Sequence, residues 1–419
     1  MDTLPRIRPR LPPGGADADR RKALALLAAT SAIGGAGLAA GGTAGALVGA
    51  QLAGTAAAAG LPLGLVVLGS AGSALLVSRQ ASRVGRGWSL ATGYLMGAAG
   101  ALLVVVATIA SSLTLLLAGS LLLGGANASI FLTRYAAAEI GDEDAEGRAL
   151  GLILFSTAIG AVASPLLLGP SGEIAQTVDL PRLSGLFVIA TVTFGLAALT
   201  LGRAAHRPAT RGVAALLRAE AVAPPAWSQF LAGTRAPAAS LGLAVLVSAN
   251  FVMVAFMAIA PIHLTGHGES LATVGAVISL HVTAMFGPSP LSGRLADRIG
   301  PVAVAATGCL LILAAGLGGA AVDQEDVRSI ALVLIVLGVG WNFAVVGGST
   351  LIARSAPAAL RVHIEGIGEA AMGVAAAAAA PAAGVIIAFG SFTALSLAGA
   401  AIAACALIGG AVTRPIRTL

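Results

Sequence analysis

Gly293-Arg294-Leu295-Ala296-Asp297-Arg298-Ile299-Gly300-Pro301 is a short charged stretch between two long apolar ones. A related stretch comes earlier, Ser78-Arg79-Gln80-Ala81-Ser82-Arg83-Val84-Gly85-Arg86, again between apolar runs. Arg79, Ala81, Arg83 and Gly85 match Arg294, Ala296, Arg298 and Gly300 at one offset of 215 residues. The same offset pairs Gly125 and Asn127 with Gly340 and Asn342, and Gly151 with Gly366. Single glycine matches carry little in a chain with 56 glycines, but two loops and two asparagines at one spacing read as a repeated unit.

The surroundings of those loops set the class. Of 419 residues, 57% are apolar and 10% charged, with a mean hydropathy of +0.95. Soluble domains run at about 45–50% apolar and about 25% charged. Too little polar surface remains to coat a soluble fold, and disorder needs low hydrophobicity. A β-barrel is disfavoured, because its strands alternate apolar and polar residues over about 10 positions. Each helical span needs roughly 17–25 apolar residues. The apolar runs predict twelve, at about 23–52, 55–78, 88–109, 112–135, 149–169, 182–202, 238–265, 270–292, 301–321, 328–353, 362–388 and 391–413. The expected fold is therefore an all-α integral membrane protein of two six-helix halves, 23–202 and 238–413. Residues 1–22 read as a disordered basic tail, 203–237 as a basic central loop with a short surface helix at 210–222, and 414–419 as a second tail.

With both tails in the cytoplasm, 22 of the 24 basic residues fall on that side, and only Arg182 and Arg328 on the other. Positive loops are retained in the cytoplasm, so this orientation is favoured. Gly37, Gly41, Gly45 and Gly49 form a stripe in span 1 suited to close helix contact. Cys309 and Cys405 lie in apolar stretches far apart and indicate neither a disulfide nor a metal.

Taken together, these residues resemble the major facilitator superfamily. Gly293 to Gly300 is similar to that family's Gly-x-Leu-Ala-Asp-Arg-x-Gly loop signature, and the first copy departs from it at positions that include Ser78 and Ser82. The resemblance implies a conformational latch formed by Arg294, Asp297 and Arg298, with Arg79 and Arg83 in the first copy. An Asp at a helix end can pair with Arg and with the positive N-terminus of a neighbouring helix. In span 5, Gly151, Gly160, Ser164-Pro165 and Leu168-Gly169 partly resemble the antiporter motif of drug-exporting members. A Pro-bent helix packed through small residues explains the same pattern. The stretches 250–264 and 279–290 resemble a bacterial branch of small-molecule permeases, one relative of which is associated with riboflavin uptake.

Ionisable groups inside spans are functional candidates. Glu369 in span 11 and His281 near the middle of span 8 are candidate proton carriers; the alternatives are a structural lock for Glu369 and an interhelical hydrogen bond for His281. Glu365 lies one turn before Glu369 on the same face, where like charges repel. Asn127, Asn250, Trp341, Asn342 and Gln51 are candidates to line a substrate cavity, with helix packing the alternative. Arg134 and Arg354, read as span ends, are candidates to pair with Glu139 or Glu146.

No HExxH, GxSxG or phosphate loop with its Lys is present, so an enzyme is not expected. The expected activity is secondary transport of a small organic substrate by alternating access, with proton-coupled export ahead of proton-linked uptake of a nutrient or vitamin. The decayed first loop leaves a non-transporting scaffold or sensor as a third reading. The expected partners are the bilayer, the substrate and protons, with no nucleic acid, cofactor or metal. The expected setting is a monomer in the bacterial plasma membrane.

Overall fold

The computed structural model describes residues 16–40, 44–53, 60–140, 145–206, 237–269, 271–323, 326–356 and 360–412. The surface helix expected at 210–222 and the tail at 414–419 lie outside them. Among the described residues there is no strand, and ten helices are long and apolar enough to cross a bilayer. These are spans 2 to 7 and 9 to 12. Spans 1 and 8 complete the twelve, each built from two helices: Ala16–Ala39 with Gly45–Ala53, and Leu271–Phe286 with Ser289–Arg298. The chain is an all-helical membrane protein. Large apolar side chains stay exposed along the helices, among them Leu95, Leu102 and Ile109 of span 3 and Leu310 and Leu317 of span 9. Such stripes are a liability in water and the natural outer surface in lipid.

Several boundaries differ from the sequence reading. The tail read as disordered already turns helical at Ala16, where Asp17 and Asp19 occupy the first turn and complement the helix N-terminus. Span 4 runs from Leu113 to Ile140, so Arg134 lies inside the helix and not at its end. Span 5 stops at Leu166 and a separate helix, Leu168–Thr177, follows. The side chains of Ser164, Pro165 and Gly169 lie outside those described. Span 8 breaks at Gly287-Pro288, since proline lacks an N–H and disfavours a helical residue before it.

The chain packs as two compact units. One comprises Met1–Asp142, Ile159–Arg235 and Ala356–Ala370; the other Glu143–Ala158, Ala236–Ser355 and Ala371–Leu419. Each unit thus holds most of one sequence half plus the start of a span from the other half. Packing inside the units repeats. Span 4 packs on spans 1, 2 and 3, and span 6 on spans 1 and 3. At the same offset, span 10 packs on spans 7, 8 and 9, and span 12 on spans 7 and 9.

The repeat extends to single atoms. A Cβ added at Gly93 would meet the Gly125 carbonyl oxygen at 2.8 Å, and one at Gly308 would meet the Gly340 carbonyl oxygen at 2.8 Å. Both pairs are 215 residues apart. Gly85 and Gly300 share a second constraint, with φ of 89° and 91° as they start spans 3 and 9. That conformation strains any side chain, which explains why both loop copies end in glycine. Gly308→Ala should therefore lower the melting temperature in detergent, at an over-packing cost of about 1–3 kcal/mol. Gly195→Ala, with open space around its Cβ, should leave it unchanged or higher. Equal effects of the two would refute the close-contact reading.

Candidate functional site

Most ion pairs between spans, among the described residues, lie near the loops joining spans 2–3, 4–5, 8–9 and 10–11. The second loop copy carries Asp297, on the short helix Ser289–Arg298. Its backbone lies against the start of span 5: a Cβ at Gly147 would sit 2.5 Å from the Gly293 carbonyl oxygen. The Gly147 and Arg148 N–H groups donate to Asp297 Oδ1 and Oδ2 at 2.8 and 2.9 Å. The acid thereby caps the positive end of span 5. Arg354 Nη2 donates to Asp297 Oδ1 at 2.9 Å, and Arg354 Nε to Glu146 Oε2 at 3.0 Å. Arg148 Nε lies 3.2 Å from Asp297 Oδ2. The motif's own Arg294 and Arg298 are exposed and form no salt bridge among the described residues. Asp297 is thus bonded to Arg148 and Arg354 and not to Arg294 or Arg298 of its own motif.

The first loop copy is built differently. Ser82 Oγ donates to the Arg79 carbonyl of its own helix at 2.7 Å. Arg79 and Arg83 are exposed and form no salt bridge among the described residues. Arg86, one residue past Gly85, is the paired arginine here. Its Nε donates to Glu139 Oε2 at 2.8 Å, and its Nη2 to Glu365 Oε2. Arg86 is 4% exposed and Glu365 fully buried. Glu139 and Arg354 are 215 residues apart, so the two copies carry opposite charges at equivalent span ends.

Deeper in the same unit, Arg134 Nη2 donates to Glu369 Oε1. Arg134 is fully buried, its guanidinium lies 4.7 Å from the Tyr135 ring centroid, and its Nη1 donates to the Phe131 carbonyl at 3.1 Å. Arg134 pairs with a span carboxylate and not with Glu139 or Glu146, because span 4 continues past it. Glu369 is eight residues into the span 11 helix that starts at Arg361, about 12 Å along its axis. This buried pair unites two residues that the sequence reading treated separately.

The other mid-span candidates divide. His281 is fully buried, with Nδ1 2.6 Å from the Leu334 carbonyl oxygen. A carbonyl only accepts, so Nδ1 carries the proton and ties span 8 to span 10; Nε2 has no hydrogen-bond partner among the described residues. Asn342 donates to the Met285 carbonyl and Ser289 Oγ, both at 2.7 Å, and accepts from Ser292 Oγ at 2.6 Å. It holds the break in span 8. Trp341 donates to Asn250 Oδ1 at 3.2 Å and packs edge-on against Phe286, and Asn250 Nδ2 donates to the Met372 carbonyl at 2.8 Å. Asn250, Trp341 and Asn342 are all buried and hydrogen-bonded to other helices. Asn127, the counterpart of Asn342, is only half-buried and donates to Ser70 Oγ at 2.9 Å. Gln51 is exposed near the end of its helix. Gly151 and Gly160 are close contacts, the first against the Ser289 carbonyl oxygen and the second against the Ala32 carbonyl oxygen.

Residues 23–364 match the family model described as Major Facilitator Superfamily. The chain is 36% identical over 383 residues to the uncharacterized MFS-type transporter YdeG of Bacillus subtilis (strain 168), covering 90% of this chain and 89% of that protein. It is 29% identical over 314 residues to the riboflavin transporter RfnT of Brucella anthropi, covering 74% of each. The crystal structure of the E. coli fucose:proton symporter FucP has the same fold, with a TM-score of 0.71 at 12% identity, covering 94% of this chain and 99% of that one.

Proposed function

The chain belongs to the major facilitator superfamily, and on that premise we propose that it exports a small organic molecule by alternating access coupled to protons. In this reading the halves 23–202 and 238–413 rock about a midplane site, as a monomer in a bacterial plasma membrane with both termini cytoplasmic. The observation that carries proton coupling is the buried Arg134–Glu369 pair. Protonating Glu369 removes the charge that holds the Arg134 guanidinium, so proton binding and a tie between spans 4 and 11 are linked. The latches at Asp297 and Arg86 supply contacts made in one conformation and absent from another. Export rests on the span 5 resemblance. Uptake of a vitamin such as riboflavin is the competing direction, resting on the similarity to RfnT.

Reconstitution under an imposed pH gradient tests the reading. Substrate-dependent proton flux across a broad compound screen is expected, and its absence would count against coupling. Riboflavin rescue of an auxotroph by this gene would replace export with uptake. With Asn127 as a substrate contact, Asn127→Ala should raise KM several-fold with little change in melting temperature. Asn342→Ala should cost stability by roughly 1–2 kcal/mol, because it strips three interhelical bonds. Similar stability losses in both would remove Asn127 from the substrate site.

A further inference from the structure

Arg148, Arg294, Asp297 and Arg298 line a cavity of about 200 Å³ at the end of span 8 and the start of span 5. Three guanidinium groups face one carboxylate there, and the carboxylate is already engaged. Asp297 accepts from two backbone N–H groups and from Arg354, and pairs with Arg148. Arg294 and Arg298 stand at i and i+4 on one helix face, where like charges repel, and no salt bridge among the described residues relieves them. Among the described residues, the cavity therefore carries two positive charges with no ion-pair partner.

Apolar side chains lead from it into the membrane. On span 5, Leu152 and Phe155, each 40% exposed, continue the helix face of Arg148. On span 8, Leu291, 56% exposed, lies one turn before Arg294 on the membrane side. A basic hollow at the root of two exposed apolar stripes fits a headgroup and its acyl chains better than a soluble anion. Basic pockets between spans on the cytoplasmic side bind anionic headgroups.

We propose that Arg148, Arg294 and Arg298 bind the phosphate of an anionic phospholipid whose acyl chains lie along Leu152, Phe155 and Leu291. A bound phosphate shares Arg148 with Asp297, so lipid occupancy acts on the second latch. The proposal is independent of substrate and coupling. Its test is binding by the purified full-length protein, read by native mass spectrometry and melting temperature. The probes are phosphatidylglycerol, phosphatidylcholine and inorganic phosphate at matched ionic strength. The wild type should prefer phosphatidylglycerol to phosphatidylcholine. Arg294→Gln/Arg298→Gln should lose about tenfold or more of that preference. Arg203→Gln, an exposed arginine at the end of span 6, should keep it. An unchanged preference in the double variant would overturn the site. Equal protection by inorganic phosphate alone would overturn the lipid as its occupant and make it a soluble-anion site. The variant arginines are exposed, and monodispersity together with the Arg203→Gln control separates lost binding from lost folding.

Discussion

Glu369→Gln is expected to abolish substrate-dependent proton flux while leaving a folded protein. The amide cannot exchange a proton, yet it fills the same space and still accepts from Arg134. The pair is enclosed, with Arg134 0% and Glu369 8% exposed. Breaking such a pair from one side leaves a buried charge and costs about 3–5 kcal/mol in soluble proteins. Arg134→Met should therefore destabilise strongly, as it strands the Glu369 carboxylate. Glu369→Met should do the same by stranding the guanidinium. Arg134→Met/Glu369→Met removes both charges and should recover most of the stability, because an apolar pair of similar volume has no desolvation cost to offset. It should recover none of the coupling. Melting temperatures of the four proteins give the interaction energy as a double-mutant cycle. Dye-reported proton flux in liposomes gives the coupling. Wild-type flux in Glu369→Gln would remove this residue from the mechanism. A double variant as unstable as Arg134→Met would show that Arg134 contributes through its contacts with Phe131 and Tyr135, not through the ion pair.

The class, the twelve spans and the repeat were legible because each is written redundantly in the chain. Span location follows from long apolar runs, and the repeat from matches that share one offset. The same offset locates physical contacts, as Gly93–Gly125 and Gly308–Gly340 show. The break at Gly287-Pro288 was obscured because apolar residues continue through it. Its stabilisation comes from Asn342, 57 residues away from Met285. Asn127 and Asn342 look equivalent in sequence, but burial separates a half-open side chain from a locked one. The site was half legible. Asp297 stood out by its motif and Glu146 as a partner for Arg354, whereas the pairing of Arg148 and Arg86 did not, because their roles depend on which helix ends meet. A sign was present for the first latch. Glu139 occupies the position of Arg354 with its charge reversed, so a compensating Arg outside the motif was to be expected.

That reversal makes restoring the motif harmful. Ser82 is the counterpart of Asp297, and Glu139 of Arg354. In the second copy the acid and the arginine bond at 2.9 Å. Ser82→Asp puts a second carboxylate at the equivalent position facing Glu139, where like charges oppose each other. It should therefore weaken the Arg86 contacts despite restoring the acid of the family signature. Asp297→Asn keeps the shape but removes charge from three donors, each worth about 1.5–3 kcal/mol when charge-assisted and not additive. A net loss of about 2 kcal/mol shifts the balance between latched and open forms roughly 30-fold. Arg86→Gln should act more strongly, since it leaves Glu365 buried without its cation. Labelling of single cysteines placed at the ends of spans 5 and 11, with Cys309 and Cys405 replaced first, reads that balance. Faster labelling is expected in all three variants, with Arg86→Gln the fastest. Slower labelling in Ser82→Asp would mean that the first copy works as the signature does, through an acid at the loop. Arg86 would then be a packing residue of span 3 and not a latch.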